Sequence, residues 1–146
     1  MIEITQEWLF TETKVFLSKG ENVIMQGRGN SMNPYLWPGR DAVVLSPYRS
    51  EDLKAGTIVL FFHHNQYILH RIIGRNDDCF VIQGDAIHKK KELVREKDII
   101  AVAHTVIRHN GREVSTQSFN ARLYWFCWRL LRPVGLFVLK VLRKVF

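Results

Sequence analysis

Residues 57–74 read TIVLFFHHNQYILHRIIG, which is two runs of β-branched, aromatic and other apolar residues separated by the turn-forming pair His64-Asn65. Runs of this composition, bounded by turn formers, are typical of β-strands. Four further runs share the pattern and lie on both sides of this segment: ENVIMQG, DAVVLS, CFVIQG and IIAVAHTVIRH. The short spacing between the runs leaves no room for crossover helices. We therefore expect a mainly β fold with a compact antiparallel or mixed β-sheet core, rather than an α/β fold.

The β-rich segment is predicted to extend over residues 21–118, and Asn110-Gly111 followed by REVST marks a hairpin near its end. The whole chain of 146 residues is long enough for one domain with a core of its own. Its two cysteines, Cys79 and Cys127, form neither a disulfide framework nor a C-x-x-C pair. This usage favours a reducing compartment, or indifference to redox conditions.

Residues 1–20 predict a short N-terminal amphipathic helix packed on this domain. Acids and threonines separate the apolar residues of this segment, which are Ile4, Trp8, Leu9, Val15 and Phe16. The segment has no basic start, no unbroken apolar run and no small-residue cleavage site, so it is not typical of a signal peptide. We therefore expect no export signal in this segment.

Residues 119–146 predict a basic amphipathic helical tail. The net charge is +7, and residues 1–120 hold 15 basic against 14 acidic residues, so the excess charge lies in the tail. On a helix, the six cations of the tail fall within an arc of about 120°. Pro133 and Gly135 interrupt the segment, which leaves open two short helices or one kinked helix. The six cations are Arg122, Arg129, Arg132, Lys140, Arg143 and Lys144.

The position of these charges indicates a membrane surface as the partner of residues 121–146, and it argues against a nucleic-acid-binding face on the near-neutral domain. Tyr124, Trp125 and Trp128 suit a helix that lies in the bilayer interface. Two alternatives stay open: a single transmembrane span, in which the cations would be costly, and a helix docked on the protein's own core. With no export signal, we expect a peripheral position on the cytoplasmic side of a membrane.

A first segment suited to acyl transfer is Gly29-Asn30-Ser31-Met32-Asn33-Pro34. A serine in so tight and irregular a turn can present its hydroxyl and its backbone N–H toward the same point. Acyl transfer needs this combination, because a nucleophile must stand beside a donor for the developing oxyanion. A surface-loop serine is the plain alternative.

Two further segments could supply a base and its partner. In QYILHRIIG, strand alternation places His70 on the face of Ile68 and Ile72, opposite Leu69 and Arg71. Such a histidine is either a satisfied core residue or a general base. The Gly84-Asp85 pair after the next strand is either a plain turn or the source of a carboxylate that orients an imidazole.

In order and spacing, these motifs resemble the type I signal peptidase family and its relatives, the LexA-type self-cleaving repressors. The matched motifs lie within residues 29–86. A histidine in the position of the base is similar to the branch found in archaea and the endoplasmic reticulum, whereas the bacterial branch has lysine. The matches are Ser-Met-x-Pro at Ser31, Met32 and Pro34, the base at His70, the box Arg71-Ile72-Ile73-Gly74 and the Gly-Asp box at Gly84 and Asp85.

This resemblance implies a peptidase core and a serine endopeptidase with Ser31 as nucleophile and His70 as general base. Asp85 would orient His70, and Asn30 and Arg71 would support the site. The implied substrate is a peptide or protein precursor, such as a signal or leader peptide, that lies extended along a strand edge with small side chains before the scissile bond. No cofactor is implied. A histidine suits this role because its ordinary pKa of about 6.5 leaves it neutral and basic near pH 7.

The chain departs from the family pattern at several positions. Gly29 stands where the family often has a hydroxyl residue, so the backbone N–H of Ser31, with Asn30, is left to form the oxyanion site. The Gly-Asp box continues into lysines rather than acids, and no N-terminal membrane anchor is recognisable. Two other functions stay open: a self-processing or regulatory LexA-like protease, and a catalytically inactive peptide-binding module of the same fold. The remaining histidines show no ligand spacing, so no metal site is expected.

Overall fold

The computed structural model describes residues 6–26 and 29–145, and within these ranges it contains eight β-strands and two α-helices. Helix α1 spans Gln6–Ser18 and helix α2 spans Phe119–Val145. The predicted mainly β fold with a helix on each side is confirmed. The strands are β1 (Val23–Gln26), β2 (Ala42–Ser46), β3 (Ile58–His63), β4 (Gln66–Asn76), β5 (Cys79–Gln83), β6 (Glu92–Arg95), β7 (Ile99–Ile107) and β8 (Glu113–Ser115).

The strands form one antiparallel sheet in the order β1-β2-β7-β3-β4-β5-β6, and β8 pairs with the second half of β7. β3 and β4 form a hairpin through His64 and Asn65, whose φ values of 48° and 61° are those of a type I′ turn. The hairpin predicted at Asn110-Gly111 joins β7 to β8. Short turns of this kind suffice because neighbouring strands run in opposite directions.

The central strands bury side chains on both faces of the sheet, and β3 shows this most clearly. Ile58 and Leu60 belong to one core cluster, whereas Val59 and Phe61 belong to another. In β4, His70 is the register partner of Val59 and Arg71 is the partner of Ile58. His70 and Arg71 therefore lie on opposite faces, which confirms the alternation predicted for this strand.

Helix α1 packs on the domain, but through a different face from the one predicted. Phe10, Thr13 and Leu17 are buried, whereas Leu9, Val15 and Phe16 are exposed. Phe10 stacks on Tyr67 with ring centroids 4.1 Å apart. Thr13 fits the buried face because its hydroxyl donates a hydrogen bond to the Leu9 carbonyl over 2.9 Å. Ile4 and the side chain of Trp8 lie outside the described residues.

Helix α2 is one continuous helix that includes Pro133, so of the two predicted forms the structure contains a single helix. Two of its residues, Ala121 and Leu139, are buried. The ring of Trp125 lies 3.3 Å from the position a Cβ would take on Gly56, so the helix rests directly on the sheet connections. Among the residues that the structure describes, no helix is both long and apolar enough to cross a membrane.

Candidate active site

Ser31 begins a turn between β1 and β2 that is anchored on both sides of the serine. Met32 and Tyr35 are buried in the core. The Asn33 side chain, which is also buried, donates a hydrogen bond to the Asn30 side-chain oxygen over 3.2 Å. Ser31 itself stays half-buried. The backbone around the serine is thus positioned by its neighbours, while the serine side chain is left accessible.

Gly29 has a backbone conformation that explains the missing hydroxyl residue at this position. Its φ is +76°, in the left-handed region that glycine adopts without steric cost. Apart from its chain neighbours, no described residue has an atom within 4 Å of the place where its Cβ would be. A side chain at position 29 is therefore disfavoured by the backbone conformation and not by lack of space.

His70 is buried on β4 and meets a carboxylate that the sequence did not indicate. Its Nδ1 lies 3.3 Å from Glu92 Oε1, and both side chains are almost fully enclosed. The ring also meets the edge of Phe61, with centroids 6.1 Å apart. The His70–Glu92 contact has ion-pair distance without hydrogen-bond alignment, and neither Nδ1 nor Glu92 Oε2 has a hydrogen-bond partner among the described residues. Glu92 is thus placed to orient the ring, although loosely.

Gly84 lies between the His70 ring and the Ser31 turn. A Cβ on Gly84 would lie 2.6 Å from the Ser31 carbonyl oxygen and 3.0 Å from His70 Nε2. Beside it, the Ala86 N–H donates a hydrogen bond to the Ser31 carbonyl over 2.8 Å. Nε2 therefore lies next to the Ser31 turn, while Nδ1 lies next to Glu92.

The structure brings Ser31 and His70 into one pocket without joining them. Both residues are described, and no hydrogen bond connects the Ser31 hydroxyl to the His70 ring. In enzymes without bound substrate, catalytic hydrogen bonds are often long and shorten when the substrate binds. The missing bond therefore does not exclude the predicted pairing of Ser31 and His70.

Asp85 lies elsewhere than predicted, because its carboxylate pairs with Arg71 and not with His70. Asp85 accepts two hydrogen bonds of 3.0 Å, one from Nε and one from Nη2 of Arg71. Nη1 of the same guanidinium donates to the Gly56 carbonyl over 3.1 Å. The carboxylate next to His70 is that of Glu92, since both oxygens of Asp85 already accept hydrogen bonds from Arg71.

Helix α2 holds the segment that carries Gly84 and Asp85. The indole N–H of Trp128 donates to the Asp85 carbonyl over 2.7 Å. Arg132 donates to the Gln83 side-chain oxygen and to the Gly84 carbonyl, each over 2.7 Å. The tail is therefore part of the architecture around the candidate site.

Where α2 contacts the domain, burial disfavours the charged form of the side chains. It raises the pKa of Tyr35 and of Tyr124 above the ordinary value, and it lowers the pKa of Arg132. The rings of Tyr35 and Tyr124 lie 5.0 Å apart, and the Arg71 guanidinium lies 5.0 Å from the Tyr35 ring centroid. Arg71 and Asp85 are thus enclosed by aromatic rings that exclude water.

The pocket that contains Ser31 and His70 has a volume of about 420 Å³. Glu92 and Lys90 lie with them at its polar part. The remaining wall is mostly apolar, and its members come from α1, β1, β3, β4 and the turn after Ser31. They include Leu9, Met25, Met32, Leu36, Leu60, Tyr67 and Leu69.

An open strand edge runs along this pocket. β4 pairs with β3 over residues 66–71, but its pairing with β5 begins only at Arg71. In the described part of the chain, no strand pairs with residues 66–70 on the side away from β3. Tyr67, Ile68, Leu69 and His70 of this edge line the pocket. An unpaired edge can accept an extended peptide as an added strand.

No protein-family model, no curated protein and no solved structure matches this chain. The site must therefore be interpreted from its own geometry. In the described ranges, no three His, Cys, Asp or Glu side chains lie close enough together to hold a metal ion.

Of the residues predicted for the site, Ser31 and His70 line one pocket, whereas Arg71 and Asp85 form a separate pair. Asn30 precedes Ser31 in the chain but is not part of the pocket wall. Glu92 was missed, although its strand carries a signal. In Glu92-Leu93-Val94-Arg95 the alternation that buries Val94 also buries Glu92, and it leaves Leu93 exposed. An acid at an inward-facing strand position, with an apolar residue facing outward, is unusual enough to indicate a buried partner.

Proposed function

We propose that this protein is a serine endopeptidase that cleaves an extended peptide, such as a signal or leader peptide, with Ser31 as nucleophile and His70 as general base. The observation that carries the proposal is the approach of His70 Nε2 to the Ser31 turn at Gly84, with Glu92 beside Nδ1 of the same ring. A serine hydroxyl is a weak nucleophile and needs a base to accept its proton. A carboxylate beside the other ring nitrogen favours the tautomer whose Nε2 can do so.

The reaction follows from this order of groups. Ser31 Oγ attacks the substrate carbonyl carbon while its proton passes to His70 Nε2. The tetrahedral intermediate then loses the amine, which takes the proton from Nε2 as the C–N bond breaks. Water attacks the resulting ester with its proton going to the same nitrogen, and that proton returns to Ser31 Oγ when the acid product leaves.

The developing negative charge needs donors beside the attacked carbonyl oxygen. The N–H of Ser31 makes no hydrogen bond with a described residue, so it is free to serve as one donor. The Asn30 side-chain oxygen accepts the bond from Asn33, which leaves the Asn30 amide N–H groups as a second donor. Gly29 adds none.

The open edge of β4 and the walls of the pocket support an extended peptide as substrate. Main-chain hydrogen bonds along residues 66–70 would align the chain, and alternate side chains would point into the apolar pocket. The resemblance to the signal peptidase family favours small side chains before the scissile bond.

The proposal is tested by incubating the purified full-length protein with a mixed peptide library and identifying the cut bonds by mass spectrometry. We expect cleavage by the native protein, and loss of cleavage in Ser31→Ala and in His70→Gln. Ser18→Ala and His109→Gln serve as matched controls, because both of these residues are exposed and lie outside the pocket.

Three outcomes would contradict the proposal in different ways. Cleavage that survives both Ser31→Ala and His70→Gln would show that another group carries the reaction. Peptides that bind to the native protein and are never cut would favour the inactive binding module. Cutting confined to the protein's own chain, and abolished by Ser31→Ala, would favour the self-processing alternative.

A further inference from the structure

Helix α2 presents an apolar line to the outside of the molecule. Four of its largest apolar side chains fall within an arc of about 40° on the helix. All four are strongly exposed, with accessible fractions between 57% and 77%. Leu123, Val134 and Val141 widen the same line and are also exposed. The four residues, which we call the outer line, are Phe119, Phe126, Leu130 and Phe137.

The opposite side of the helix is the side that docks on the domain. Ala121, Trp128 and Leu139 lie about 180° from the outer line, and Ala121 and Leu139 are buried. Trp128 and Arg132 supply the hydrogen bonds to the segment that carries Gly84 and Asp85. Docking thus combines a few buried apolar residues with the hydrogen bonds of Trp128 and Arg132, and it leaves most large apolar side chains of the helix exposed. An ordinary surface helix instead buries its apolar face.

Cations flank the outer line on one side. Arg122, Arg129 and Lys140 lie about 70° from its centre and are exposed. Residues 121–146 contain no acidic residue at all. An exposed apolar line beside a row of cations combines the two forces that attach a helix to an anionic bilayer, namely apolar burial and attraction to lipid headgroups.

We infer that the outer line of α2 inserts into the interface of an anionic lipid bilayer while the opposite side of the helix stays docked on the domain. A second copy of the chain fits this surface poorly. Pairing two outer lines would place two rows of cations side by side with no acid in either tail to neutralise them.

This attachment also places the candidate site relative to the lipid. Arg132 contacts the Gly84 carbonyl, and Arg143 donates to the Asn30 carbonyl over 3.4 Å. The helix in the interface thus touches both segments that meet at Ser31 and His70. The pocket would lie roughly one helix diameter, about 10 Å, from the bilayer surface.

The test is flotation of the full-length protein with vesicles of phosphatidylcholine, either alone or mixed with about one third phosphatidylglycerol. We expect flotation with the mixed vesicles and at least about tenfold weaker partition for the double variant Leu130→Ser/Phe137→Ser. The matched control is Ile24→Ser/Leu93→Ser, because these residues are also exposed, at 65% and 53%, but lie on strands. The control should float like the native protein.

A second variant set tests the cations. Arg122→Gln, Arg129→Gln and Lys140→Gln together should lower partition into mixed vesicles by more than about tenfold, and added salt should have a similar effect. Lys89→Gln/Lys91→Gln, which changes exposed cations outside α2, is the control and should change little.

Several results would overturn the inference. One such result is native protein that floats with neither type of vesicle. Another is a loss of vesicle binding that is equal in the outer-line variant and in its control. A dimer in solution that Leu130→Ser/Phe137→Ser converts to a monomer would assign the outer line to a second copy. The inference stands apart from the proposed activity, because flotation of Ser31→Ala should equal that of the native protein even if no peptide is cleaved.

Discussion

Two neighbouring residues of β4 each meet a buried carboxylate, and the two contacts differ in geometry. Arg71 and Asp85 are 2% and 3% exposed and meet through two parallel hydrogen bonds of 3.0 Å. His70 and Glu92 are 8% and 5% exposed and meet through one 3.3 Å contact, and His70 Nδ1 and Glu92 Oε2 find no hydrogen-bond partner in the part of the chain that the structure describes. We call Arg71–Asp85 the closed pair, because two parallel hydrogen bonds join it. We call His70–Glu92 the open pair, because each side chain keeps a polar atom that could bond to another group.

Their positions in the strand explain this difference. Successive side chains of a strand point to opposite faces, so adjacent residues can face different surroundings. Arg71 points toward Tyr35 and Trp125 beneath α2, where rings surround it. His70 points toward the Ser31 turn and the pocket. If the proposed function is correct, a single strand supplies a structural residue and a reactive residue side by side.

The largest effect should come from the open pair. His70→Gln should lower kcat/KM for peptide cleavage by about 10³-fold or more, because it removes the proposed proton acceptor for Ser31 while nearly preserving side-chain volume. Thermal denaturation should show a stability close to that of the native protein. A His70→Gln protein that is much less stable but cleaves at the native rate would assign His70 a structural role. His70 would then not differ from Arg71 in function.

The closed pair should show the opposite profile. Asp85→Asn leaves Arg71 buried with its charge uncompensated, and we expect the free energy of unfolding to fall by about 3–5 kcal/mol. Urea denaturation measures the change. Replacing both residues, as Arg71→Met/Asp85→Leu, should cost less than the single change, because no unpaired charge stays buried. Glu51→Gln in the exposed Arg49–Glu51 pair is the control and should have almost no effect.

Glu92→Gln separates orientation from structure. It keeps the shape of the side chain but removes the charge beside Nδ1, so kcat should fall by roughly 10²-fold with little change in KM. Glu92→Asp should recover part of the rate, and Glu113→Gln, an exposed strand residue, should match the native protein. Parallel losses of rate and stability in Glu92→Gln would place this pair in the same structural class as Arg71–Asp85.

The smallest effect concerns the contact that links α2 to the closed pair. Trp128→Phe removes one hydrogen bond to the Asp85 carbonyl and should lower the free energy of unfolding by about 1 kcal/mol. Chemical denaturation followed by circular dichroism would detect it. Phe126→Leu, on the outer line of the same helix, should leave stability unchanged. If both variants are neutral, the tail does not support the site.

The local features of this chain could be predicted from its sequence. The strands follow from β-rich runs between turn formers, and the face on which His70 lies follows from alternation alone. These two inferences succeed because each depends on neighbouring residues in the chain. Ser31 and His70 were paired by the order of short motifs; both line one pocket, and their roles as nucleophile and base stay a prediction.

Features that depend on tertiary packing could not be predicted. Glu92 reaches His70 through the β5–β6 pairing, 22 positions along the chain. Asp85 was assigned to His70 by resemblance, but Arg71 competes for the same carboxylate with a better-matched geometry. In α1, a threonine takes a buried position that an apolar count gives to Val15 or Phe16. In each case, the surroundings of a residue depend on which groups it contacts in the fold, and its residue type alone does not show this.

One substitution at Gly84 would alter this pocket without changing Ser31, His70 or Glu92. A methyl group there would lie only 2.6 Å from the Ser31 carbonyl oxygen and would make a tight contact of 3.0 Å with His70 Nε2. The backbone oxygen cannot rotate away, so the turn and the ring would have to separate. The close approach of the Ser31 turn to the His70 ring thus depends on a residue that has no side chain.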